Sequence, residues 1–324
     1  MDTATDRTLY NKWFRVMGGW GLLRFVDSRG VDAAEAIALR AMSEAERIER
    51  KYSRFIQTSV VSRINRDAGR TPVAVDEETV SLVAHALSLA ATTRGAFDPT
   101  VGVMRRLWNF REERVPEVSQ VEALRRLVDY REVSVRDGTV FLRLEGMELD
   151  LGGVGKEYAV DRVAACLRAE GVESAVVNLA GDLRTVGSRG DGRPWKIGVM
   201  DPRSGNQTRF SVRLVCDGGV ASSGDYERCF IKDGVRYHHL LDARTGFPAR
   251  GLAATTAVAA TAFDAGLAAT AAFLLGPEEG LRHLEETPGV QGALITEQGD
   301  LLTTSAMRSC TDLPGSIYSE YPLI

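Results

Sequence analysis

A glycine-rich segment, Gly152-Gly153-Val154-Gly155-Lys156, is the first place where residue types and spacing suggest chemistry. Glycines let the backbone approach a phosphate closely, and a helix that begins here would present its N-terminal N–H groups to an anion. Asp150 and Glu157 stand where a Walker-type loop needs glycine and Ser or Thr, and Tyr158 stands at the third glycine of the dinucleotide fingerprint. The segment is therefore either a tight strand-to-helix turn or an anion site, and Lys156 favours the anion site.

A second segment, RYHHLLDARTG, contains two adjacent histidines. Neighbouring side chains on a strand face opposite ways, so His238 and His239 cannot both point into one site, which argues against a two-histidine metal site. One histidine is available for proton transfer near neutral pH. A structural histidine is the alternative interpretation. Asp242 and the tight turn that contains Thr245 favour a functional one.

Two further loops have small or acidic side chains next to glycine or proline. In ASSGDY, Ser223 could donate a hydrogen bond to a phosphate or to a flavin edge. In GAFDPT, Pro99 fixes an extended backbone before it, and Asp98 could accept hydrogen bonds from an adenine or a ribose. Taken alone, the ASSGDY loop is better explained as an ordinary polar turn, and the GAFDPT loop carries little information.

Composition excludes several classes of protein. The chain has 324 residues, of which 44% are hydrophobic and 26% are charged, as in folded globular proteins. A net charge of −4, with arginines scattered among acids, gives no basic face for nucleic acid. The four cysteines form no CxxC pair, so they predict free thiols and no zinc site.

The sequence also predicts no membrane span. Residues 252–276 are long enough to cross a bilayer, but they consist mostly of Ala and Thr and contain Asp264, so a strand followed by a buried helix is expected. The first residues show neither a secretory signal nor a lipidated-cysteine pattern. We therefore expect a cytoplasmic location.

The elements that position these segments are helices on a largely antiparallel sheet, which is an α+β fold. A strand-like start over 13–26 leads to a long helix, and Asp76 is expected to cap the next helix. TVFLRLEGMELDL predicts a hairpin with its turn near Glu145–Gly146, and GALITEQGDLLTT predicts another. A short helix over Pro277 to Glu286 is expected before the second hairpin. We expect one domain over residues 1–324, with two lobes around a cleft and peripheral tails at 1–12 and 308–324.

Together and in order, these motifs resemble the ApbE family of FAD:protein FMN transferases. The pieces that carry the resemblance are GAFDPTVG, LDLGGVGKEYAVDR, VVNLAGDL, PWKIGVMDP, SSGDYER, RYHHLLDARTG and a C-terminal Ala/Thr helix. The resemblance covers roughly Met17 to Thr303. It implies a bilobal α+β fold with FAD in the cleft and Mg²⁺ at the pyrophosphate. It also implies that a Ser or Thr hydroxyl of an acceptor protein attacks the FMN phosphorus and that AMP leaves.

The resemblance also implies roles for individual residues. His239 matches the family histidine and would be the catalytic base. Lys156 would lie near the phosphates or the flavin, and Met17 would pack on the flavin. The remaining matches are to positions that line the nucleotide cleft: Asp98, Asp182, Ser223, Asp242 and Thr245. The residues assigned to the metal are Gly153, Asp264 and Thr270.

Four positions depart from the family pattern. Gly19 replaces a threonine after Met-Gly, Glu157 replaces the glycine after the lysine, and Ala243 replaces a proline. In the C-terminal helix the family places an Asp four residues before its Thr, a spacing that suits a metal ion. Here Gly266 occupies that position.

Asp264 is the nearest acidic residue in this segment, six residues before Thr270. Six residues correspond to roughly 240° around an ideal helix. The two side chains could therefore share one metal ion only if Asp264 precedes the helix or the backbone bends. The metal site is consequently expected to be damaged, rearranged or supplied with oxygens from elsewhere.

Three functions remain compatible with the sequence. The first is FMN transfer from FAD to a protein. The second is hydrolysis of FAD to FMN and AMP, or another flavin-dependent reaction. The third is non-catalytic binding or carriage of FAD, which the altered metal pair favours.

Overall fold

The computed structural model describes residues 8–204, 207–307 and 311–312. Two short 3-10 helices lie at Gly102–Arg106 and Tyr130–Glu132. In the same residues the chain forms seven α-helices: α1 (Val31–Tyr52), α2 (Val60–Arg66), α3 (Glu77–Thr92), α4 (Val118–Arg125), α5 (Gly155–Ala169), α6 (Ala262–Leu275) and α7 (Pro277–Glu286).

The described residues also form eighteen strands. Nine precede residue 215: β1 (Thr8–Val16), β2 (Gly19–Asp27), β3 (Val73–Ala74), β4 (Val133–Arg136), β5 (Thr139–Leu142), β6 (Ala175–Leu179), β7 (Asp182–Val186), β8 (Trp195–Met200) and β9 (Thr208–Leu214). Nine follow it: β10 (Gly218–Gly224), β11 (Cys229–Lys232), β12 (Val235–His238), β13 (Leu241–Asp242), β14 (Phe247–Pro248), β15 (Leu252–Ala259), β16 (Gln291–Thr296), β17 (Leu301–Thr303) and β18 (Thr311–Asp312).

An eight-stranded sheet is the centre of the fold. Its strand order is β1-β2-β6-β7-β10-β15-β16-β17, and every neighbouring pair is antiparallel. Smaller antiparallel sheets are formed by β8, β9 and β18, by β3, β5 and β4, and by the hairpins β11–β12 and β13–β14. Helices packed on antiparallel sheets confirm the predicted α+β class.

Apolar residues on opposite faces of the large sheet pack against different layers. On one face, Phe25, Val177 and Ala257 join a core that includes α1, α5 and α6. On the other face, Val176 and Val258 pack with residues of β8 and β9. Burying each large apolar side chain stabilises the fold by about 1.5–3 kcal/mol. The alternating pattern of β6 therefore places the strand between two layers.

A separate hydrophobic cluster supports the histidine segment. Val103, Met104, Val121 and Leu241 pack around Trp108. The Trp108 indole N–H donates to the carbonyl oxygen of Gly246 at 2.8 Å. This cluster fixes the turn after Asp242 at a place that the large sheet does not reach.

Several predicted elements are confirmed. Asp76 caps α3, since its side chain accepts a hydrogen bond from the Thr79 N–H at 3.0 Å. The predicted short helix over 277–286 is α7, and the last predicted hairpin is β16–β17. The start of each helix and the turn of the hairpin are determined by residues close by in the sequence, so the sequence alone could predict them.

Two predicted elements are wrong. The segment 13–26 is not one strand, because the Met17–Gly18 turn separates β1 from β2. The hairpin with a turn near Glu145–Gly146 is also absent. Instead, β5 forms an antiparallel hairpin with the preceding strand, β4. Asp137 and Gly138 both adopt positive φ, of 49° and 69°, in the tight turn between these strands.

Part of each predicted tail belongs to a sheet. Thr8 to Lys12 belong to β1, whose pairing with β2 extends to Thr8 opposite Asp27. At the other end, Thr311–Asp312 pair with β9, and the rest of the predicted tail lies outside the described residues. Within the described part of the chain, no helix is long and apolar enough to cross a membrane. Three of the four cysteines, Cys166, Cys216 and Cys229, are free thiols, and Cys310 lies outside the described residues.

Candidate functional site

Two tight turns define one end of the large sheet. Met17 and Gly18 join β1 to β2 with φ of 50° and 75°, and Ala180 and Gly181 join β6 to β7 with φ of 50° and 99°. Paired positive φ values are typical of type I′ turns, which match the twist of antiparallel strands. Since β2 pairs with β6, both turns lie at the same end of the sheet. We call this region the sheet end.

Three predicted site residues lie at the sheet end. Met17 is half-buried, and its backbone N–H donates to Glu49 Oε2 at 3.0 Å. Asp182 is the first residue of β7, and only 1% of it is exposed. Ser223 lies near the end of β10, which runs antiparallel to β7 and reaches the same place.

Helix α5 places Lys156 beside Asp182. The N-cap residue of α5, Val154, makes no side-chain capping bond, and the first N–H of the helix, that of Gly155, donates to the carbonyl oxygen of Leu151 at 2.7 Å. Lys156 Nζ lies 2.7 Å from Asp182 Oδ2. Burial opposes the charged lysine, but the Asp182 carboxylate outweighs this and raises the pKa of Lys156. The structure therefore holds a positive charge at the sheet end.

The glycine loop before α5 packs on the GAFDPT loop. The Asp150 N–H donates to the carbonyl oxygen of Pro99 at 2.7 Å, and the Asp150 carboxylate accepts from the Gly152 N–H at 2.8 Å. A Cβ at Gly153 would lie 3.1 Å from the ring of Phe97. Arg105 Nε lies 2.6 Å from the same carboxylate. A bulkier residue at 153 would therefore push the two loops apart.

Helix α6 separates the two side chains that were assigned to the metal. Thr270 is buried, and its hydroxyl lies 3.1 Å from that of Ser223. Asp264 is exposed in the first turn of α6, where its N–H donates to the N-cap Thr261 at 2.9 Å and its carboxylate accepts from the Thr261 hydroxyl at 2.6 Å. Because Asp264 is inside the helix and participates in its capping, it does not share a site with Thr270.

Glu157 occupies the space that Gly266 leaves on α6. A Cβ at Gly266 would stand 2.2 Å from Cγ of Glu157. Glu157 is 7% exposed, and its Oε2 has no hydrogen-bond partner among the described residues. Burial first, and then the negative charge of Asp182, raise the pKa of the Glu157 carboxyl. This residue was noted in the sequence only as a departure.

The two histidines have different environments, as the strand pattern predicts. His238 is buried, donates from Nε2 to the carbonyl oxygen of Ala249 at 2.9 Å and packs edge-on against Phe273. His239 follows β12, and its Nδ1 is buried without a partner among the described residues. The Nδ1 of His238 is likewise without a partner among the described residues, but His238 is held by Ala249 and Phe273, whereas His239 lies among cations.

Positive charges surround His239. Burial, followed by the charges of Arg228 and Arg105, lowers the pKa of His239 to about 3, and Lys156 contributes in the same direction. The imidazole is therefore neutral at neutral pH. Arg228 makes no ion pair with any residue in the part of the chain that the structure describes. Arg105 and Lys156 are paired with Asp150 and Asp182, so Arg228 is the cation near His239 that an anionic ligand could pair with directly.

The turn after His239 is held by its own side chains. The Asp242 carboxylate accepts from the Arg244 guanidinium at 2.7 Å, and the backbone oxygen of Asp242 accepts from the Thr245 and Gly246 N–H groups at 3.1 and 2.8 Å. The Ala243 N–H donates to the carbonyl oxygen of Ala96 at 3.0 Å, which docks this turn on the GAFDPT loop. Asp242 and Thr245 thus shape the turn.

The Asp98 carboxylate accepts hydrogen bonds from its own loop and from Tyr130. Its carboxylate accepts from the Thr100 N–H at 2.8 Å, from the Thr100 hydroxyl at 2.6 Å and from the Tyr130 N–H at 2.8 Å. A cavity of about 410 Å³ lies beside it and extends to Arg244. Neither His239 nor Lys156 lines this cavity, so we locate the candidate site at the sheet end, beside Lys156 and Asp182.

The structure thus brings most predicted residues together and leaves some apart. Met17, Lys156, Asp182, Ser223 and Thr270 lie at or next to the sheet end. Asp98, Asp242 and Thr245 position the adjoining loops, and Asp264 lies elsewhere. The residues that the sequence analysis did not identify as part of the site are Arg105, Arg228 and Glu157. The glutamate could have been recognised from its place beside Lys156 together with the glycine at 266.

The side chains at the sheet end fit a divalent cation. Within the described residues, no three His, Cys, Asp or Glu side chains are grouped closely enough to enclose a metal ion. Mg²⁺, however, is usually bound by one or two carboxylates together with water and substrate phosphates. Glu157 and Asp182 supply two carboxylates, and the Glu157 oxygen without a partner is an available ligand.

Comparison with known proteins agrees with this description. The model of the ApbE family matches residues 1–295, so the chain belongs to the ApbE family. A FAD:protein FMN transferase of Treponema pallidum (strain Nichols) is 37% identical over 255 residues, which are 73% of this chain and 70% of that protein. One of Klebsiella pneumoniae (strain 342) is 33% identical, with 85% of this chain and 86% of that protein covered.

Solved structures show the same fold. The crystal structure of the ApbE protein from Thermotoga maritima matches with a TM-score of 0.84 at 34% identity, over 94% of this chain and 99% of that chain. The flavin transferase ApbE from Vibrio cholerae matches with a TM-score of 0.82 at 26% identity, with the same coverage. The α+β architecture is therefore the ApbE fold along nearly the whole chain.

Proposed function

We propose that this protein is a FAD:protein FMN transferase, which moves FMN from FAD to a Ser or Thr hydroxyl of an acceptor protein and releases AMP. The main supporting observation is the neutral His239 with its free Nδ1, beside the cations Lys156, Arg105 and Arg228. Transfer of a phosphoryl group requires an oriented nucleophile, a proton acceptor and positive charge near the phosphates. Membership of the ApbE family supports the same function.

In this reaction the acceptor oxygen forms a bond to the FMN phosphorus as the pyrophosphate P–O bond breaks. The electron pair of that bond leaves with AMP, and the hydroxyl proton passes to His239. A histidine is a base only when it is neutral, and burial between cations keeps His239 neutral. The charges of the bound pyrophosphate would offset those cations and strengthen the base.

The remaining predicted residues bind and orient the nucleotide in this proposal. Met17 packs on the flavin at the sheet end, and Lys156 with Ser223 contacts the phosphates. Asp98, Asp242 and Thr245 keep the loops of the cleft in place. Bound Mg²⁺ would neutralise charge on the two phosphates, held by the oxygen side chains at the sheet end and by the glycine loop at Gly153.

The test follows both products of the reaction. The purified chain is incubated with FAD and Mg²⁺, with or without a protein extract from the source cells as acceptor. We expect AMP and a flavin-fluorescent band that survives denaturation, and we expect His239→Ala to retain FAD but to form neither product. Free FMN with AMP and no labelled band would indicate hydrolysis. Bound FAD without AMP would indicate a carrier.

A further inference from the structure

The carboxylate of Glu157 is an unusual group in this molecule. Glu157 is 7% exposed and is the third residue of α5, directly after Lys156. Its Oε2 has no hydrogen-bond partner among the described residues. A buried ionised carboxylate is costly unless it is paired or binds a metal ion. The ammonium of Lys156 is 2.7 Å from Asp182, and its charge offsets the cost for Glu157 only in part.

Helix α6 provides the space for this side chain. At Gly266, an added Cβ would be 2.2 Å from Cγ of Glu157 and 3.0 Å from its Cδ. Glycine inside a helix costs about 1 kcal/mol relative to alanine, so a packing reason for it is expected. The positions 157 and 266 are therefore coupled, since the side chain of one fills the place that the other leaves empty.

The face of α6 that Glu157 contacts also presents Thr270. Positions 266 and 270 are four residues apart and therefore lie on one side of the helix. Thr270 is 6% exposed, and its hydroxyl lies 3.1 Å from that of Ser223. Asp182 is close enough that its charge acts on Glu157. Two carboxylates and two hydroxyls thus come together beside Lys156.

We propose that Glu157 is a ligand of a divalent cation, so that α5 supplies the carboxylate that position 266 of α6 cannot. Asp182 and Thr270 would supply further oxygen ligands. Oxygen ligands of this kind suit Mg²⁺ or Mn²⁺. The two departures from the family pattern, Glu157 and Gly266, are then one exchange of a carboxylate between helices. This assignment rests on the proposed function, since it places the cation in the same nucleotide site.

The test measures cation binding directly, by titrating the full chain with Mn²⁺ and following free Mn²⁺ by electron paramagnetic resonance, with and without FAD. Glu157→Gln preserves shape and removes the charge. We expect it to weaken Mn²⁺ binding at least tenfold. Glu227→Gln is the matched control, because Glu227 is exposed and its charge also acts on Lys156. This control is expected to stay within twofold of the unsubstituted chain.

A second pair of variants tests the proposal without relying on the folding of Glu157→Gln. Gly266→Asp alone places a side chain into Glu157 and should bind Mn²⁺ poorly. The double exchange Glu157→Gly with Gly266→Asp moves the carboxylate to α6 and should restore binding to within about threefold. Circular dichroism and thermal melting confirm that each variant is folded. A Glu157→Gln chain that binds Mn²⁺ as tightly as the unsubstituted one, or an unsubstituted chain that binds none, would overturn the proposal.

Failure of the proposed function would give different results from failure of the cation site. If Mn²⁺ binding depends on Glu157 but neither AMP nor labelled protein forms, the cation site stands and the transfer reaction does not. If transfer occurs while Mn²⁺ affinity is independent of Glu157, the reaction stands, and Glu157 is a buried acid without a metal.

Discussion

At the scale of single residues, His239 combines a free ring nitrogen with a strongly depressed basicity. Its Nδ1 has no partner among the described residues, and its pKa is lowered to about 3 by burial and by Arg228 and Arg105. Buried polar atoms in native proteins nearly always have partners, so an orphan nitrogen among cations suggests that a ligand completes the site. An anionic ligand would restore part of the basicity that the cations remove.

Stability should depend on pH through His239. An ordinary histidine has a pKa near 6.5, so the unfolded chain binds this proton at a higher pH than the folded chain does. The stabilising contribution is complete above pH 6.5 and is lost as the pH falls from there towards 3. At pH 5 the free energy of unfolding is about 2 kcal/mol lower, through His239 alone, than it is well above pH 6.5. Urea unfolding of the unsubstituted chain and of His239→Gln at pH 8 and pH 5 measures it.

The variant should lose less stability than the unsubstituted chain between these two pH values. His85→Gln is the matched control, because His85 is exposed, and its loss should leave the difference unchanged. Equal pH dependence of the unsubstituted chain and His239→Gln would show that His239 is not held neutral by the fold.

Lys156 has two roles that can be separated. Lys156→Met should destabilise the fold by about 3–5 kcal/mol, because it leaves the carboxylate of Asp182 buried without its partner. Lys156→Met with Asp182→Asn should recover most of this stability but should still bind FAD at least tenfold more weakly than the unsubstituted chain. Urea unfolding and the quenching of flavin fluorescence measure the two effects. FAD affinity restored by the double change would make Lys156 purely structural.

At the scale of elements, the turn after Asp242 depends on one glycine. Gly246 has φ of 75°, and a Cβ there would stand 2.5 Å from Cγ1 of Val121. Gly234 has the same φ of 75° in the β11–β12 turn, but an added Cβ would meet nothing within 4 Å. The two positions therefore share the backbone strain and differ only in the clash.

Gly246→Ala should consequently cost more than Gly234→Ala. The strain of a left-handed residue is about 1–2 kcal/mol in both variants. Overpacking adds about 1–3 kcal/mol at position 246 alone. Denaturant unfolding measures the difference, and flavin binding should weaken only in Gly246→Ala, whose turn follows His239. Equal losses of stability in the two variants would mean that α4 moves away from position 246 at no energetic cost.

The elements also show what a sequence can predict. The start of α3 at Asp76 and the start of α7 at Pro277 were found because caps and proline act over a few residues. The hairpin near Glu145–Gly146 was wrong because a second turn pair, Asp137-Gly138, competes for the same strand. The choice between the two pairings depends on packing with the rest of the core, which periodicity does not contain.

At the scale of the whole molecule, the site depends on residues that are distant in sequence. Lys156 and Asp182 come from α5 and β7, and His239 from the segment between β12 and β13. The order of the motifs identified the family, and the resemblance predicted Lys156, Asp182 and His239 as residues of the site. The contact between Glu157 and Gly266 could not be inferred, because the two positions are far apart in the chain and each looks like an isolated loss.

The last prediction concerns the stability of the whole chain. The main core holds the sheet end, and the cluster around Trp108 holds the histidine turn, so a nucleotide bound between them should stabilise both together. The His239→Ala variant is used for this measurement, so that FAD is not consumed. FAD at a hundred times its Kd should raise the free energy of unfolding by about 2.7 kcal/mol. Urea unfolding monitored by circular dichroism and by tryptophan fluorescence should shift by the same amount, whereas riboflavin, which lacks the phosphates, should shift neither. A shift in one signal alone would place FAD on one side of the molecule and contradict a site between the two clusters.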